Sequence, residues 1–460
     1  MRTRAHASLR PSVASTADAP KALRLRKELG LWDVVFFTLA GTIGTRWLSA
    51  AANAGPNSVT LWILAAALFL IPSTFAIAAL SRKYPEQGGL YIWTKRDFGD
   101  WPGFLCFWLY WTSIALWFPN AVMAYSSMAV YALGPGFTHL ADNRVYVVVA
   151  SLIMVWLALG SHLVGLRYGK WTQVFGGIGS YALGLLIIVA AVLVYQRRGS
   201  ATTMQLVPEW NWATLNFWSQ IAYALTGLEL APMLGSEIRD AGDVLPKSAW
   251  ISAFSAAGYY AAATAALLII LPPAQVNPLY GLAEGGRSAG VALGLHWLGP
   301  VAAVMILMGA IGQFGALGAA ASRLPFVVGA DRYFPKAFAQ LHPVWGTPHW
   351  SILLLASIAS FFLILVQFGE TLRAAYQLLV DLMVLTTFIP FGFIFLSAWK
   401  CGRRISAVLG LVVSALAMIC SLVPTADISN VWLFEAKLIG GTGLLIGSAW
   451  WMFKRAQRAR

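Results

Sequence analysis

Residues 36–54 read FFTLAGTIGTRWLSAAANA, an apolar segment with two glycines and an arginine near its middle. A second apolar segment contains TGLE at 226–229 and continues into Pro232 and Gly235. A glycine inside a helix costs about 1 kcal/mol relative to alanine, and a charged side chain at the membrane centre is costlier still. Packing alone would remove such residues, so we predict that both helices are interrupted for a functional reason. The alternative is that the glycines only allow neighbouring helices to pack closely.

The composition excludes a soluble globular protein. Of the 460 residues, 59% are hydrophobic and 11% are charged, against about 45–50% and about 25% in soluble domains. The apolar residues fall in long runs, for example 59–80, 181–195 and 251–271. A helix needs about 20 apolar residues to cross the hydrocarbon core of a bilayer. About twelve such runs therefore predict an all-α polytopic membrane protein with 12 transmembrane helices.

The runs also predict how the chain is divided. We expect helices near 32–54, 57–81, 100–133, 145–163, 171–196, 213–238, 247–271, 297–324, 349–368, 375–400, 404–423 and 432–453. They give a basic N-terminal tail (1–30), a first set of five helices (31–196), an outer loop (197–212), a second set of five (213–400), and two further helices with a short basic C-terminus (401–460). The interrupted helices open the two sets of five. Interrupted helices at matching places in two halves indicate a transporter site at the middle of the membrane.

Charge is distributed unevenly along the chain. The net charge is +14, and Lys and Arg concentrate in the N-terminal tail, in alternate loops and at the C-terminus. This asymmetry follows the positive-inside rule. It predicts a multi-pass protein of the cell (cytoplasmic or inner) membrane with both termini cytoplasmic. The same pattern argues against nucleic acid as a partner, whereas basic tails are suited to contact with anionic membrane lipid.

Three stretches resemble one protein family. They are YPEQGGLYIW at 84–93, running on to FG at 98–99, ALTGLE at 224–229, and GLR at 165–167. These stretches resemble the amino acid–polyamine–organocation permeases, over about residues 30–400. The resemblance implies the leucine-transporter fold, in which two inverted five-helix repeats surround a central site, here with two extra helices. It also implies alternating access and substrates such as amino acids, amines and polyamines.

The sequence departs from this family at two places. The family usually has Gly-Ser/Thr-Gly at the first break; here Gly41 and Thr42 match, Ile43 replaces the second glycine and Gly44 follows. We therefore expect a break shifted by one residue. Some proton-coupled members carry a lysine within the fifth helix, at a place that falls near Ser180 here. Coupling through that lysine is not expected, and the coupling ion is left open between a proton and sodium.

A broken helix suits an amino acid, which carries a carboxylate and an ammonium group. The freed N–H groups and positive dipole end of the first helix, around residues 41–44, are expected to hold the carboxylate. The last carbonyls before the break in the sixth helix, at 223–225, are expected to accept from the ammonium. Hydroxyls of Thr42 and Thr226 are expected to assist, and Tyr223 to close over the substrate. The predicted substrate-binding residues are Gly41, Thr42, Ile43, Gly44, Tyr223, Ala224, Thr226 and Gly227.

Three charged side chains are candidates for gating or coupling. Glu229 either accepts hydrogen bonds from the freed N–H groups of the first helix, which we favour, or takes up a proton, since a carboxylate in a low dielectric is protonated more readily. Arg46 either binds a second carboxylate on the substrate, which would favour acidic amino acids, or forms a gate with Asp381 of the tenth helix. The resemblance implies the gate, because in the leucine-transporter fold an ion pair links these two helices. The third interpretation is that Arg46 reaches to the membrane interface.

We therefore expect a secondary active transporter of amino acids or related amines. An exchanger (antiporter) and a nutrient sensor built on a transporter fold are the alternatives. A membrane enzyme is disfavoured because the six histidines are dispersed and the three cysteines show no metal-site or disulfide spacing. The chain has no Gly-x-x-x-x-Gly-Lys-Ser/Thr loop, which disfavours an ATP-driven pump. No metal and no cofactor are expected.

Overall fold

The computed structural model describes residues 27–164, 166–205, 207–208, 212–365, 367, 371–424 and 430–458. Over these ranges the chain is helical apart from loops and one isolated bridge between Leu29 and Ile238. The α-helices are α1 (Leu31–Thr42), α2 (Arg46–Ala54), α3 (Ser58–Ala65), α4 (Ile71–Lys83), α5 (Leu90–Phe98), α6 (Asp100–Ala129), α7 (Arg144–Ser161), α8 (Leu166–Arg198), α9 (Trp212–Ala224), α10 (Ala241–Ile270), α11 (Gly281–Leu293), α12 (Leu298–Ala330), α13 (His349–Leu365), α14 (Leu372–Lys400), α15 (Arg404–Ser421) and α16 (Val431–Arg458). Residues 1–26 of the predicted tail and Gly165 of the GLR stretch lie outside the described residues.

Most of the helices are built to cross a membrane. Eight described segments are long and apolar enough: Ser58–Lys83, Arg144–Ser161, Trp171–Arg198, Ala241–Ile270, Leu298–Gly329, Leu372–Lys400, Arg404–Ser421 and Val431–Arg458. The pair α1 and α2, bent by 45° at a short break, forms a ninth. Three further described segments stand where the sequence predicts spans: α6, whose 30 residues extend about 45 Å, α9 with its 3₁₀ continuation Leu228–Glu237, and the 17-residue α13. The predicted all-α polytopic fold is confirmed.

Two short helices stand where the sequence suggested loops. They are α5, with 9 residues, and α11, with 13 residues in the Gly- and Pro-rich stretch 272–296. The glycines of α11 serve close packing: a Cβ on Gly285 would lie 2.3 Å from Leu267, and one on Gly286 would lie 2.7 Å from Ala302. Because neither helix has an apolar run of spanning length, hydropathy did not reveal them.

The helices differ in how deeply they lie in the protein. The most apolar part of α14 is 83% buried, whereas that of α16 is 11% buried. Large apolar side chains of the peripheral helices point outward, for example Leu157 (70% exposed), Leu185 (64%) and Leu444 (77%). Such a surface suits lipid tails rather than water. The centre of the molecule is therefore built around α14 and the helices that pack on it.

The loop between α4 and α5 packs tightly onto the second interrupted helix. Gly88 and Gly89 have φ values of 113° and 45°, which glycine adopts readily. A Cβ on Gly89 would lie 3.2 Å from Pro232, and one on Gly235 would lie 2.4 Å from the carbonyl oxygen of Pro85. The glycines of the YPEQGG stretch and of the segment after TGLE therefore permit one close contact between two backbones.

A buried ion pair lies at the end of the second interrupted helix. Arg323 Nε donates to Glu237 Oε1 at 3.0 Å, and both side chains are 8% exposed. The backbone N–H groups of Glu28 and Leu29 donate to the Glu237 carbonyl at 3.0 Å. The segment that leads into α1 is therefore tied to the far end of the second interrupted helix.

Candidate functional site

The first interrupted helix breaks at residues 43–45, between α1 and α2. Ile43 has φ −80° and ψ 96°, an extended conformation that L-residues adopt without strain. A second glycine is therefore not needed at this position. Gly44 is needed for space, because a Cβ on it would lie 2.8 Å from both Gln313 Nε2 and Trp47 Cδ1.

A tyrosine from α10 bridges this break. The Tyr260 hydroxyl donates to the carbonyl of Thr42 at 2.8 Å and accepts from the N–H of Gly44 at 2.8 Å. The Tyr260 ring stacks on Trp62, with ring centroids 4.3 Å apart and planes within 5°. One of the N–H groups predicted to hold a substrate carboxylate is therefore engaged by a side chain in this conformation.

The second interrupted helix changes at Gly227, whose φ is 120°. α9 ends just before it, and the chain resumes as the 3₁₀ helix Leu228–Glu237. Glu229 is 1% exposed and accepts from the N–H of Gly227 with both carboxylate oxygens, at 2.8 and 3.0 Å. It also accepts from the Tyr110 hydroxyl at 2.6 Å. In this conformation the donors to Glu229 are the N–H at its own break and the Tyr110 hydroxyl, rather than the N–H groups of the first helix that the sequence suggested.

The two threonines at the breaks differ in their bonding. Thr226 donates to the carbonyl of Tyr223 from its N–H at 3.0 Å and from its hydroxyl at 2.7 Å. One carbonyl expected to accept from an ammonium is therefore already used within the turn. The hydroxyl of Thr42 is buried and has no hydrogen-bond partner among the described residues. Of the two threonine hydroxyls predicted to assist substrate binding, the Thr42 hydroxyl is therefore the one that can still bond to a ligand.

The two breaks meet around a small cavity. A Cβ on Gly227 would lie 2.7 Å from Thr42 Oγ1, so the two interrupted helices are in contact at their breaks. The cavity has a volume of about 30 Å³, room for a few water molecules at most. Glu229 lines this cavity. Six of the eight predicted substrate-binding residues line it as well: Gly41, Thr42, Tyr223, Ala224, Thr226 and Gly227. Ile43 and Gly44 are not among the lining residues.

The remaining walls contain residues that sequence reasoning missed. They include Trp47 of α2, Tyr110, Ser113 and Trp117 of α6, Gln313 of α12 and Thr387 of α14. Ser113 and Thr387 are hydrogen-bonded through their hydroxyls, and the Trp47 and Tyr223 rings meet edge to face with centroids 5.8 Å apart. Serine and threonine in helices commonly bond their own backbone, so neither type stood out. The amide of Gln313 inside an apolar run was the one available signal.

Arg46 is fully buried at the start of α2 (0% exposed). Its Nη1 donates to Asn120 Oδ1 and, at 3.1 Å, to the Tyr376 hydroxyl. The centre of its guanidinium lies 3.9 Å from the centroid of the Trp47 ring and 5.7 Å from that of Trp117. This enclosure contradicts the interpretation in which Arg46 reaches the membrane interface.

The structure does not bring Arg46 and Asp381 together. No ion pair joins these two described residues; Asp381 accepts instead from Gln377 Nε2 at 2.8 Å, one turn earlier in α14. The reason is helix phase. Tyr376, which meets Arg46, and Asp381 are five positions apart, which is about 140° around a helix. The predicted gate pair is therefore absent from this conformation.

Comparison with known proteins gives a consistent result. The family model described as "Amino acid permease" matches residues 29–440. An uncharacterized transporter of Legionella pneumophila is 24% identical, over 94% of this chain and 97% of its own length. The serine/threonine exchanger SteT of Bacillus subtilis is 24% identical, over 73% of this chain and 76% of its own. The crystal structure of MhsT in complex with L-phenylalanine superposes with a TM-score of 0.63 at 13% identity, over 89% of this chain and all of that one. The last likeness shows a leucine-transporter-like fold.

Proposed function

This chain belongs to the amino acid permease family, and we propose that it is a secondary active transporter that binds an amino acid or a related amine at its two helix breaks. Family and fold are those of transporters rather than enzymes. The chain is a multi-pass membrane protein, and the distribution of Lys and Arg supports the cell membrane with both termini in the cytoplasm.

The observation that carries this proposal is that two interrupted helices meet at one cavity. Interrupted helices leave peptide dipoles directed at a shared space, where they can hold a charged substrate. Thr42 adds a buried hydroxyl without a partner among the described residues. Gly41 and Gly227 line the cavity without side chains, so a ligand can approach the backbone closely.

The conformation described here supports alternating access. A cavity of about 30 Å³ is far smaller than the pockets that hold small molecules, so the walls must part before an amino acid enters. Trp47 and Tyr223, in edge-to-face contact across it, are the side chains that separate. Release of the Gly44 N–H by Tyr260 would free a donor for the substrate carboxylate. Glu229 keeps its structural role, which is to hold Gly227 in its left-handed conformation.

The experiment is transport by the purified protein in liposomes. A panel of labelled amino acids and amines is offered with the liposomes empty or preloaded with unlabelled substrate, and with or without a proton or sodium gradient. We expect saturable uptake of at least one amino acid or amine. Uptake into empty liposomes that follows one gradient identifies a symporter and its ion. No uptake of any compound by correctly folded protein would contradict the proposal and favour a nutrient sensor.

Exchange is the second candidate mechanism. The relative SteT is described as an exchanger. An exchanger reorients only with a substrate bound, so a complete transport cycle needs substrate on both sides of the membrane. Uptake that occurs only into preloaded liposomes, whatever ion gradient is imposed, identifies this mechanism.

A further inference from the structure

Arg46 presents an unused hydrogen-bonding edge inside the protein. Its Nη1 is occupied by Asn120 and Tyr376, whereas Nε and Nη2 are buried without a hydrogen-bond partner among the described residues. Nε and Nη2 form one side of the planar guanidinium. That side is the fork that binds both oxygens of a carboxylate.

The charge of Arg46 is also uncompensated. Its two hydrogen-bond acceptors, an amide oxygen and a phenol, are neutral, and no described carboxylate lies within ion-pair distance of it. The contrast with Arg323 is direct, because that buried arginine is paired with Glu237. A buried charge without a partner is strongly unfavourable, and rings such as Trp47 compensate it only in part.

Arg46 is not itself a lining residue of the substrate cavity, but it lies directly behind two residues that are. Its guanidinium lies against Trp47 and Trp117, and both rings line the cavity between the helix breaks. Trp47 contacts both the guanidinium and the cavity, so its movement on opening would bring the free edge of Arg46 next to the substrate.

We propose that Arg46 binds a second carboxylate of the substrate, so that the transporter selects acidic amino acids. The proposal rests on the proposed function, since it assigns the substrate class of the same site. The α-carboxylate and ammonium occupy the helix breaks, and the side-chain carboxylate reaches the free Nε and Nη2 edge. The bound anion then neutralises a charge that the empty protein leaves unpaired.

The test uses substrate pairs that differ only in the carboxylate. Uptake of glutamate is compared with glutamine, and of aspartate with asparagine, by the full chain in liposomes. We expect the wild-type protein to prefer each acid over its amide. Arg46→Gln should raise KM for the acids by roughly 10- to 100-fold, the loss of hydrogen bonds to a charged group, and change KM for the amides little. Arg46→Lys, which keeps the charge but not the fork, should fall between the two.

A matched control and the contrary outcomes complete the test. Arg197→Gln alters an arginine that donates to the carbonyls of Ala292 and Leu293, and it should leave the acid-to-amide ratio unchanged. An equal loss for acids and amides in Arg46→Gln would show a purely gating or structural role. If Arg46→Gln does not fold, the test is made with Arg46→Lys, whose acid-to-amide uptake ratio is compared with that of the wild-type protein.

Two further results separate the proposals. Uptake of amides but not of acids by the wild-type protein overturns the assignment of Arg46 and leaves the transporter intact, whereas no uptake of any amino acid or amine contradicts the proposed function itself. A requirement for chloride that disappears in Arg46→Gln would assign the guanidinium to an inorganic anion and also overturn the proposal.

Discussion

Removing the carboxylate of Glu229 tests whether it acts as a cap for its own helix break. Glu229→Ala leaves the Gly227 N–H and the Tyr110 hydroxyl, both now bound at 2.6–3.0 Å, without their acceptor. Each unsatisfied buried donor costs about 1–3 kcal/mol, so we expect a loss of about 2–6 kcal/mol and no transport. Glu229→Gln keeps an acceptor, and because neutral hydrogen bonds are about half as strong as charge-assisted ones, it should lose about 1–2 kcal/mol and retain transport.

Unfolding in detergent, followed by tryptophan fluorescence, measures the change in stability. Uptake into liposomes with and without a pH gradient measures the change in transport. Glu435→Gln, which changes a half-buried acid of α16, is the matched control and should alter neither. The capping role of Glu229 is excluded if Glu229→Gln is as stable as the wild-type protein yet no longer responds to a proton gradient that drives wild-type uptake. Glu229 would then be a proton carrier.

Two other substitutions test the breaks directly. Tyr260→Phe removes the hydroxyl that joins the two sides of the first break, so we expect a loss of about 1–3 kcal/mol in unfolding free energy and slower transport; Tyr259→Phe is the control, because that buried hydroxyl has no partner among the described residues, and equal effects of the two changes would contradict the bridge. Gly227→Ala should abolish transport, because φ is 120° and the new Cβ would lie 2.7 Å from Thr42 Oγ1, whereas Gly258→Ala in α10, with open space around it, should be neutral or gain up to about 1 kcal/mol. Uptake by Gly227→Ala at the wild-type rate would show that the contact between the breaks is dispensable.

The fold could be predicted because its determinants are local. Apolar runs and interrupted segments are visible in single stretches, and the predicted helices agree with the described ones to within a few residues at most ends. The helices α5 and α11 were missed because they are too short or too rich in glycine to produce such a run. The two breaks could be paired from the sequence because each lies in the first helix of one of the two predicted sets of five.

The site was predicted less completely because its contacts are long-range. The bond between Gly44 and Tyr260 joins residues 216 positions apart, and nothing in either segment marks the other. Asp381 was matched to Arg46 by helix alone, but the direction of a side chain depends on the rotation of each helix about its axis. The donors that Glu229 has in this conformation were not anticipated, because the positive φ at Gly227 that brings its N–H into range is visible only in three dimensions.

The Tyr260 bridge limits how the halves of this protein can move. A hinge with free peptide groups would let α1 and α2 pivot independently, but here one hydroxyl is fastened to both sides of the joint. The same ring is stacked on Trp62 of α3. A change in the angle between α1 and α2 must therefore either break one of these two hydrogen bonds or displace the Tyr260 ring and, with it, its contact with Trp62. One phenol therefore couples movement at the first break to two helices that lie far from it in the chain.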